Sequence, residues 1–317
     1  MKIAILGGGS WGTALAVHLA RNNNNQNSIK VWEFFEEQAR EMQEKRVCKL
    51  LPDIKLPKNI FVSSKMEEVL ADSELVLLVV PSNHVERTIE QAKEFISEQA
   101  VIICSKGFGP DLKFLSDVVA EKVSGSVFCL YGPTHAEEVC KEMFSGIVLA
   151  GGKGKEKLRE VIASDNLKVD LSDDLIGVQV SAALKNILAV FVGVLDGMGL
   201  GDNAKAYIMT RGLEEIKSVG VALGGKAETF YGLAGIGDMV VTSTSPHSRN
   251  RSVGVEVGKG RKLQAVIDEM PMVAEGVTTL KEAIGLKEKT GLELPLITGL
   301  YRILFEGKDP QEVLKNI

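Results

Sequence analysis

Residues 1–172 alternate short apolar runs with segments of helical period, and residues 173–317 carry helical patterns alone. The pair of halves predicts an α/β protein in which an N-terminal doubly wound, mostly parallel sheet precedes an all-helical C-terminal domain. Two further observations support this. Runs such as LVLLVV at residues 75–80 show no polar alternation, as expected of a parallel strand covered on both faces. The chain also opens with an apolar run, a glycine turn and a helix-forming segment in unbroken succession.

That opening is the first element. Residues 3–6 read as a strand, Gly7, Gly9 and Gly12 follow at GxGxxG spacing, and residues 13–19 are alanine-rich and helical. With 32 glycines in 317 residues the spacing alone arises by chance roughly 0.3 times, so the strand before it and the helix after it carry the argument. In that context the glycines suit a tight turn, a close backbone approach to a pyrophosphate, and close helix–strand contact, which makes the first half Rossmann-type. Residues 29–32 resume as a strand that ends in Glu33. A carboxylate there accepts hydrogen bonds from an adenosine ribose and repels a 2′-phosphate, although Glu33 also fits the charged start of the next helix with Glu36 and Glu37. Two prolines hold LPDIKLP, residues 51–57, extended; residues 60–63 form a strand; and Ser64 with Glu67 has capping-box spacing before a short helix. The strand at 75–80 is stopped by Pro81-Ser82-Asn83, and residues 86–96 form an amphipathic helix. Residues 101–105 are again a strand, with Lys106-Gly107 at its end, where such sheets bind ligands. Lys106 there either meets a phosphate or carbonyl oxygen or is solvated. The strand at 127–131 leads into Gly132-Pro133-Thr134-His135 and a helix from Ala136, and residues 147–150 and 167–171 supply two more strands.

From Ser172-Asp173-Asp174 onward the strand pattern ends, and these residues read as a capped helix start with carboxylates at its positive end. The boundary falls here, giving a dinucleotide-binding domain at 1–172 and a helical substrate and catalytic domain at 173–317. Residues 175–195 are apolar almost all round, yet Lys185 and Asn186 sit in the middle. An ammonium in such surroundings needs a charge, a cavity, a substrate or a route to solvent. The GLGDNA stretch at 199–204 imitates the dinucleotide spacing, but it follows a helix and reads as a helix-breaking turn. Residues 205–220 are helical, GLAGIGD at 232–238 reads as a flexible turn, and residues 240–245 lead to His247-Ser248-Arg249-Asn250-Arg251. An arginine flanked by serine and asparagine suits a phosphate monoester, or forms a basic, solvated helix start. Residues 263–269, 278–290, 296–305 and 311–317 complete the helical set.

Composition narrows the classes. Hydrophobic content of 45%, charged content of 25% and a net charge of −5 are those of a globular protein and argue against a nucleic-acid partner. Cys48, Cys104, Cys129 and Cys140 lack metal-ligand or CxxC spacing and read as inert packing residues, so no metal is expected. Unbroken apolar runs such as residues 187–192 fall well short of the roughly 18 residues of a membrane span. No signal-peptide pattern opens the chain, which predicts a cytoplasmic location.

Taken in order, GGGSWGTA, LPDIKLP, SKGF, GPTHAEEV, the Lys185-Asn186 helix, GDNAKA, GLAGIGD and SRNR resemble the NAD(P)-dependent glycerol-3-phosphate dehydrogenase family almost end to end. The resemblance implies reversible hydride transfer between NAD(P)H and dihydroxyacetone phosphate, giving sn-glycerol 3-phosphate for glycerophospholipid synthesis. It makes Lys185 the acid/base, lined by Asp238 and Thr242, with Lys106, Gly132, Thr134 and Asn186 as further substrate contacts. Ser248, Arg249 and Asn250 become the phosphate grip. Gly7, Gly9, Ser10, Trp11, Gly12, Glu33, Phe34, Ala136, Val273 and Glu275 become cofactor contacts, joined by Lys106 and Arg249. A homodimer formed through the helical domain is a further implication. Glu33-Phe34-Phe35 departs from the small or basic residues common in bacterial members and tilts the cofactor preference from NADP toward NAD. Lys106 would lower the proton affinity of Lys185 and Asp238 would raise it, with the balance left open. The rival readings are a two-domain dehydrogenase of the β-hydroxyacid or ketopantoate type, and a non-catalytic nicotinamide-binding regulator.

Overall fold

The unalternating apolar runs become strands of one eight-stranded sheet. In the computed structural model, which describes residues 1–270 and 274–317, these strands are β1 (Lys2–Leu6), β2 (Ser28–Trp32), β5 (Ile60–Ser63), β6 (Leu75–Leu78), β7 (Ala100–Ile103), β8 (Val127–Tyr131), β9 (Ser145–Gly151) and β10 (Leu167–Ser172). Their spatial order is β10-β9-β8-β7-β6-β1-β2-β5. All neighbours pair parallel except β8 and β9, which run antiparallel. The order reverses at β1, which lies between β2 and β6 and opens onto the glycine turn and α1 (Ser10–Asn25). β3 (Val47–Cys48) and β4 (Leu51–Lys55) form a separate antiparallel pair, so the proline-flanked segment is extended. The apolar side chains of β1, β2 and β6 pack with α1 in one buried cluster.

The chain divides into two units, one made of Met1–Ser105 and Lys113–Leu175, the other of Lys106–Leu112 and Ile176–Ile317. The short segment after β7 thus belongs with the helical unit, which the sequence pattern does not disclose. One local expectation in the first unit is overturned. Ser64 does not cap the helix Met66–Leu70; Ser63 Oγ accepts from the Lys65 N–H at 3.1 Å and donates to Glu68 at 2.7 Å, so a different serine and a different glutamate pair there. The strand end decides this, because Ser63 is still paired to Trp32 of β2 when its hydroxyl turns to the helix.

The second unit holds helices and connecting turns but no strand among its described residues. Its centre is α2 (Leu175–Gly197), which by length and composition could cross a membrane, but 89% of its most apolar window is buried within the protein. The interruptions at Lys185 and Asn186 had hidden this length from a count of unbroken runs. Ser172 Oγ accepts from the Asp174 N–H at 3.1 Å just ahead of α2. A turn with Gly199 at φ +73° separates α2 from α3 (Asp202–Ala222). The helices α4 (Asp238–Thr244), α5 (Arg249–Gly258), α6 (Glu275–Ala283) and α7 (Pro295–Glu306) follow, with shorter ones at Leu263–Asp268, Gly285–Thr290 and Pro310–Leu314.

GLAGIGD is not a flexible turn. Leu233–Gly237 forms one wide helical turn that runs directly into α4. Gly235 is kinked at φ −97° and ψ −107°, and a Cβ there would lie 2.1 Å from the Phe230 carbonyl oxygen, so close backbone packing explains this glycine. The first turn of α7 is capped from a distance. The buried Glu215 carboxylate of α3 accepts the Leu296 and Ile297 N–H groups at 2.9 and 3.0 Å, two of the donors that a helix start leaves unpaired.

Candidate functional site

The second unit gathers two cations around one carboxylate. Lys185 lies midway along α2 and is 4% exposed, while Asp238, 1% exposed, is the first residue of α4. Lys185 Nζ donates to Asp238 Oδ1 at 2.7 Å and to Thr242 Oγ1, and Thr242 donates in turn to Asp238 Oδ1 at 3.3 Å. The spacing from Asp238 to Thr242 is one helical turn, which places both side chains on one face of α4. Lys106 Nζ donates to the other oxygen, Asp238 Oδ2, at 2.7 Å. It is carried by the crossing segment Lys106–Leu112, in which Gly107, Asp111 and Leu112 all have positive φ and whose Leu112 carbonyl accepts from Lys289.

These contacts settle the balance at Lys185. Burial lowers its proton affinity most; Asp238 opposes that, Lys106 reinforces it, and the result is a pKa of about 8. Burial would raise the Asp238 carboxyl, but the charges and hydrogen bonds of Lys106 and Lys185 prevail and hold it below its ordinary value.

A second group adjoins the first through α2. Asn186 Nδ2 donates to Glu275 Oε2 at 3.5 Å at the start of α6, and the next residue, Gly276, donates its N–H to Asn250 Oδ1 at 2.9 Å. A Cβ at Gly276 would lie 2.5 Å from the Asn186 carbonyl oxygen and 2.9 Å from Asn250 Oδ1, so only glycine lets α6 start here. Burial pushes the Glu275 carboxyl up, against the pull of Arg249, Lys106 and Lys185. Arg249 and Asn250 are the first two residues of α5, and the N-cap Ser248 Oγ accepts from the Arg251 N–H at 3.3 Å. Lys106, Lys185, Asn186, Asp238, Thr242, Arg249, Asn250 and Glu275 are therefore linked by hydrogen bonds or close charges, with Ser248 at the same helix start. Gly276 gives no cue in the sequence beyond being a glycine where a helix would prefer another residue.

The first unit carries the other sequence-designated residues. Gly7 has φ +125° and a Cβ there would lie 2.7 Å from the Val79 carbonyl oxygen; one at Gly12 would lie 1.9 Å from that of Gly7. At Gly9 nothing lies within 4 Å, so the middle glycine faces open space. The first and third glycines thus serve the turn and the helix packing. Ser10 begins α1, whose first turn holds no acidic residue, and Trp11 packs half-buried beside it. A helix N-terminus of this kind accepts a pyrophosphate, so these residues fit a dinucleotide.

Glu33 is buried, which overturns the reading of it as part of a solvated helix start. Its Oε1 accepts the Phe35 N–H at 3.1 Å, and a Cβ at Gly8 would lie 2.5 Å from Oε2, so the carboxylate sits against the glycine loop. Burial raises its pKa. Phe34 is exposed, edge-on to Trp32 and Phe35, with the Arg87 guanidinium 6.0 Å from its ring centre. Gly132, Thr134 and Ala136 lie just past the carboxyl end of β8. There a Cβ on Gly132 would lie 2.8 Å from Ile147 Cα, and the Thr134 hydroxyl donates to the Gly132 carbonyl at 3.3 Å. Val273 lies outside the described residues. The four cysteines are buried thiols, and burial pushes those of Cys129 and Cys140 up to about 12.

Comparisons with known proteins bear on the chain as a whole. Residues 2–157 match the family model for the NAD-dependent glycerol-3-phosphate dehydrogenase N-terminus, and residues 174–315 match that for its C-terminus. The glycerol-3-phosphate dehydrogenase (NAD(P)+) of Thermoanaerobacter sp. (strain X514) is 40% identical over 321 residues, spanning 100% of this chain and 96% of the relative. That of Chlorobium limicola is 40% identical over 330 residues, with 100% and 97% covered. The crystal structure of glycerol-3-phosphate dehydrogenase from Coxiella burnetii superposes with a TM-score of 0.95 at 33% identity, covering 99% of this chain and 98% of the other. Matches of this length and identity favour that family over the β-hydroxyacid and ketopantoate types. The chain belongs to the NAD(P)-dependent glycerol-3-phosphate dehydrogenase family.

Proposed function

We propose that the chain reversibly reduces dihydroxyacetone phosphate to sn-glycerol 3-phosphate, with Lys185 as the acid/base. The observation that carries the reading is the Lys185–Asp238–Lys106 cluster, a buried ammonium of lowered proton affinity held by a carboxylate that a second ammonium shares. A bound nicotinamide dinucleotide supplies the hydride, and Gly7, Gly9, Ser10, Trp11, Gly12, Glu33, Phe34, Ala136 and Glu275 are the residues proposed to hold it. As the carbonyl oxygen gains negative charge, Lys185 Nζ donates its proton to that oxygen. An ammonium aimed at the developing alkoxide stabilises the transition state more than the neutral ketone. Asp238 and Thr242 fix Nζ by accepting two of its protons, which leaves the third for the substrate. A pKa of about 8 lets Lys185 give the proton in one direction and take it in the other near neutral pH.

The phosphate belongs at the start of α5. Arg249 supplies the charged fork, the positive end of the α5 helix faces an anion favourably, and Asn250, whose Oδ1 is committed to Gly276, offers its amide hydrogens. Lys106, Gly132, Thr134, Asn186 and Ser248 are proposed as the remaining substrate contacts. The Glu33 carboxylate beside Gly8 supports a preference for NADH, because a 2′-phosphate near it would be repelled. The product would feed glycerophospholipid synthesis in the cytoplasm. Exposed Tyr207, Tyr231, Ile236 and Val240 on the helical unit support a homodimer, which light scattering would report as twice 34.2 kDa. The reaction itself is tested by following nicotinamide absorbance with dihydroxyacetone phosphate. Oxidation of NADH, faster than of NADPH, is expected, and oxidation of neither would overturn the proposal.

A further inference from the structure

Arg251, the last residue of the SRNR motif, has no part in the chemistry above, yet it makes the most directional contact of α5. Its Nε and its Nη2 both meet Asp196 Oδ2 at 2.7 Å, near the end of α2. Asp196 Oδ1 accepts Lys205 Nζ of α3 at 3.0 Å, and Lys205 is held again by Asp202 at 2.7 Å. One carboxylate therefore ties three helices together.

The two helices it joins most closely touch through bare backbone. A Cβ at Gly193 of α2 would lie 2.1 Å from the Arg251 carbonyl oxygen, and one at Gly254 of α5 would lie 2.0 Å from that of Val190. One turn on, Gly197 faces the Val255 oxygen at 2.1 Å and Gly258 faces the Val194 oxygen at 2.2 Å. Glycines four apart on both helices set how near the helices come, as small residues do wherever helix backbones touch. They leave fewer interdigitating side chains to fix rotation and axial position. A charge-assisted clasp of two guanidinium nitrogens on one oxygen supplies that constraint.

We infer that Asp196 and Arg251 are a positioning pair that sets where Arg249 and Asn250, at the start of α5, stand relative to Lys185 and Asn186 on α2. Asp196 is eleven residues beyond Lys185, about 16 Å along the helix, so it acts through the helices and not on the substrate. The inference rests on the reading of Arg249 and Asn250 as the phosphate grip. Displacing that grip weakens phosphate binding while leaving the proton donor in place.

The test measures KM for dihydroxyacetone phosphate, Ki for inorganic phosphate, and kcat in Asp196→Asn, Arg251→Lys and Arg249→Ala. In Asp196→Asn, KM and Ki rise together about tenfold with kcat within about twofold of the native value. Arg251→Lys keeps the charge but not the fork, so it gives a smaller rise of the same kind and serves if the asparagine variant fails to fold. Native KM and Ki in both variants, with Arg249→Ala impaired, would overturn the positioning role. So would a fall in kcat at unchanged KM, which marks a general structural defect. Native constants in Arg249→Ala would instead remove the phosphate-grip reading, and this inference with it.

Discussion

A lysine taken out of water and set beside one carboxylate and one further lysine must give up proton affinity, and Lys185 does so despite its bond to Asp238. The direction of that shift fixes the pH behaviour. Reduction needs the protonated form, so kcat/KM for dihydroxyacetone phosphate should fall above about pH 8, where the ammonium is lost. Oxidation of sn-glycerol 3-phosphate needs the neutral amine and should rise through the same range. Lys185→Ala should cost about 10²- to 10⁴-fold in kcat and remove both limbs. Fluorescence titration should show NADH binding as in the native chain. Turnover near the native rate, or limbs that persist in the variant, would assign the proton to another group. Among single residues, Lys185 was legible as a demand, because a charge inside an apolar helix needs a charge, a cavity, a substrate or a route to solvent, and Asp238 supplies the charge. For Glu33 two readings stayed open, because its burial depends on the glycine loop at Gly8 and on the Phe35 N–H, which no local pattern discloses.

At the level of elements, long unalternating runs read correctly because burial on both faces leaves no room for polar alternation. The failures were local and had tertiary causes. GLAGIGD looked flexible because glycine count was its only visible property, whereas Gly235 is there to let the chain touch the Phe230 carbonyl. The capping pair read at Ser64 and Glu67 gave way to a bond between Ser63, still held by β5, and Glu68. The start of α7 shows a further dependence that no local pattern discloses, since its cap is Glu215 of α3, 81 and 82 residues away along the chain. Glu215→Ala should destabilise the helical unit by about 2–3 kcal/mol, because two buried N–H groups lose their acceptor. Glu215→Gln, which keeps one acceptor oxygen, should recover part of that loss. Denaturant unfolding measures both, and equal stability of all three proteins would show that the cap contributes nothing.

For the whole molecule, most of the proposed dinucleotide contacts belong to the first unit and the proposed phosphate contacts at the start of α5 to the second. Hydrogen exchange should therefore separate them. NADH alone should protect amides of the glycine loop and the first turn of α1, and sn-glycerol 3-phosphate should protect those at the start of α5. At about 100 times its dissociation constant each ligand stabilises the state it binds by about 2.7 kcal/mol. Protection by NADH confined to α5, with the glycine loop unaffected, would contradict the assignment of the dinucleotide site. The two-part plan was visible in the sequence because strand runs stop after residue 172. What could not be seen is that the chain lends residues of its first half to the second unit, a fact of packing without a compositional mark.

That loan, Lys106–Leu112, limits how this protein can be recombined. A hybrid gene joined near residue 173 would take Asp238 from one parent and its Lys106 partner from the other. The charge balance at Lys185 would then depend on two ancestries at once. The proposed proton chemistry would then draw on a short segment upstream of the join as well as on the helical half. Exchanges that respect the apparent boundary should fail more often than those that carry residues 106–112 along.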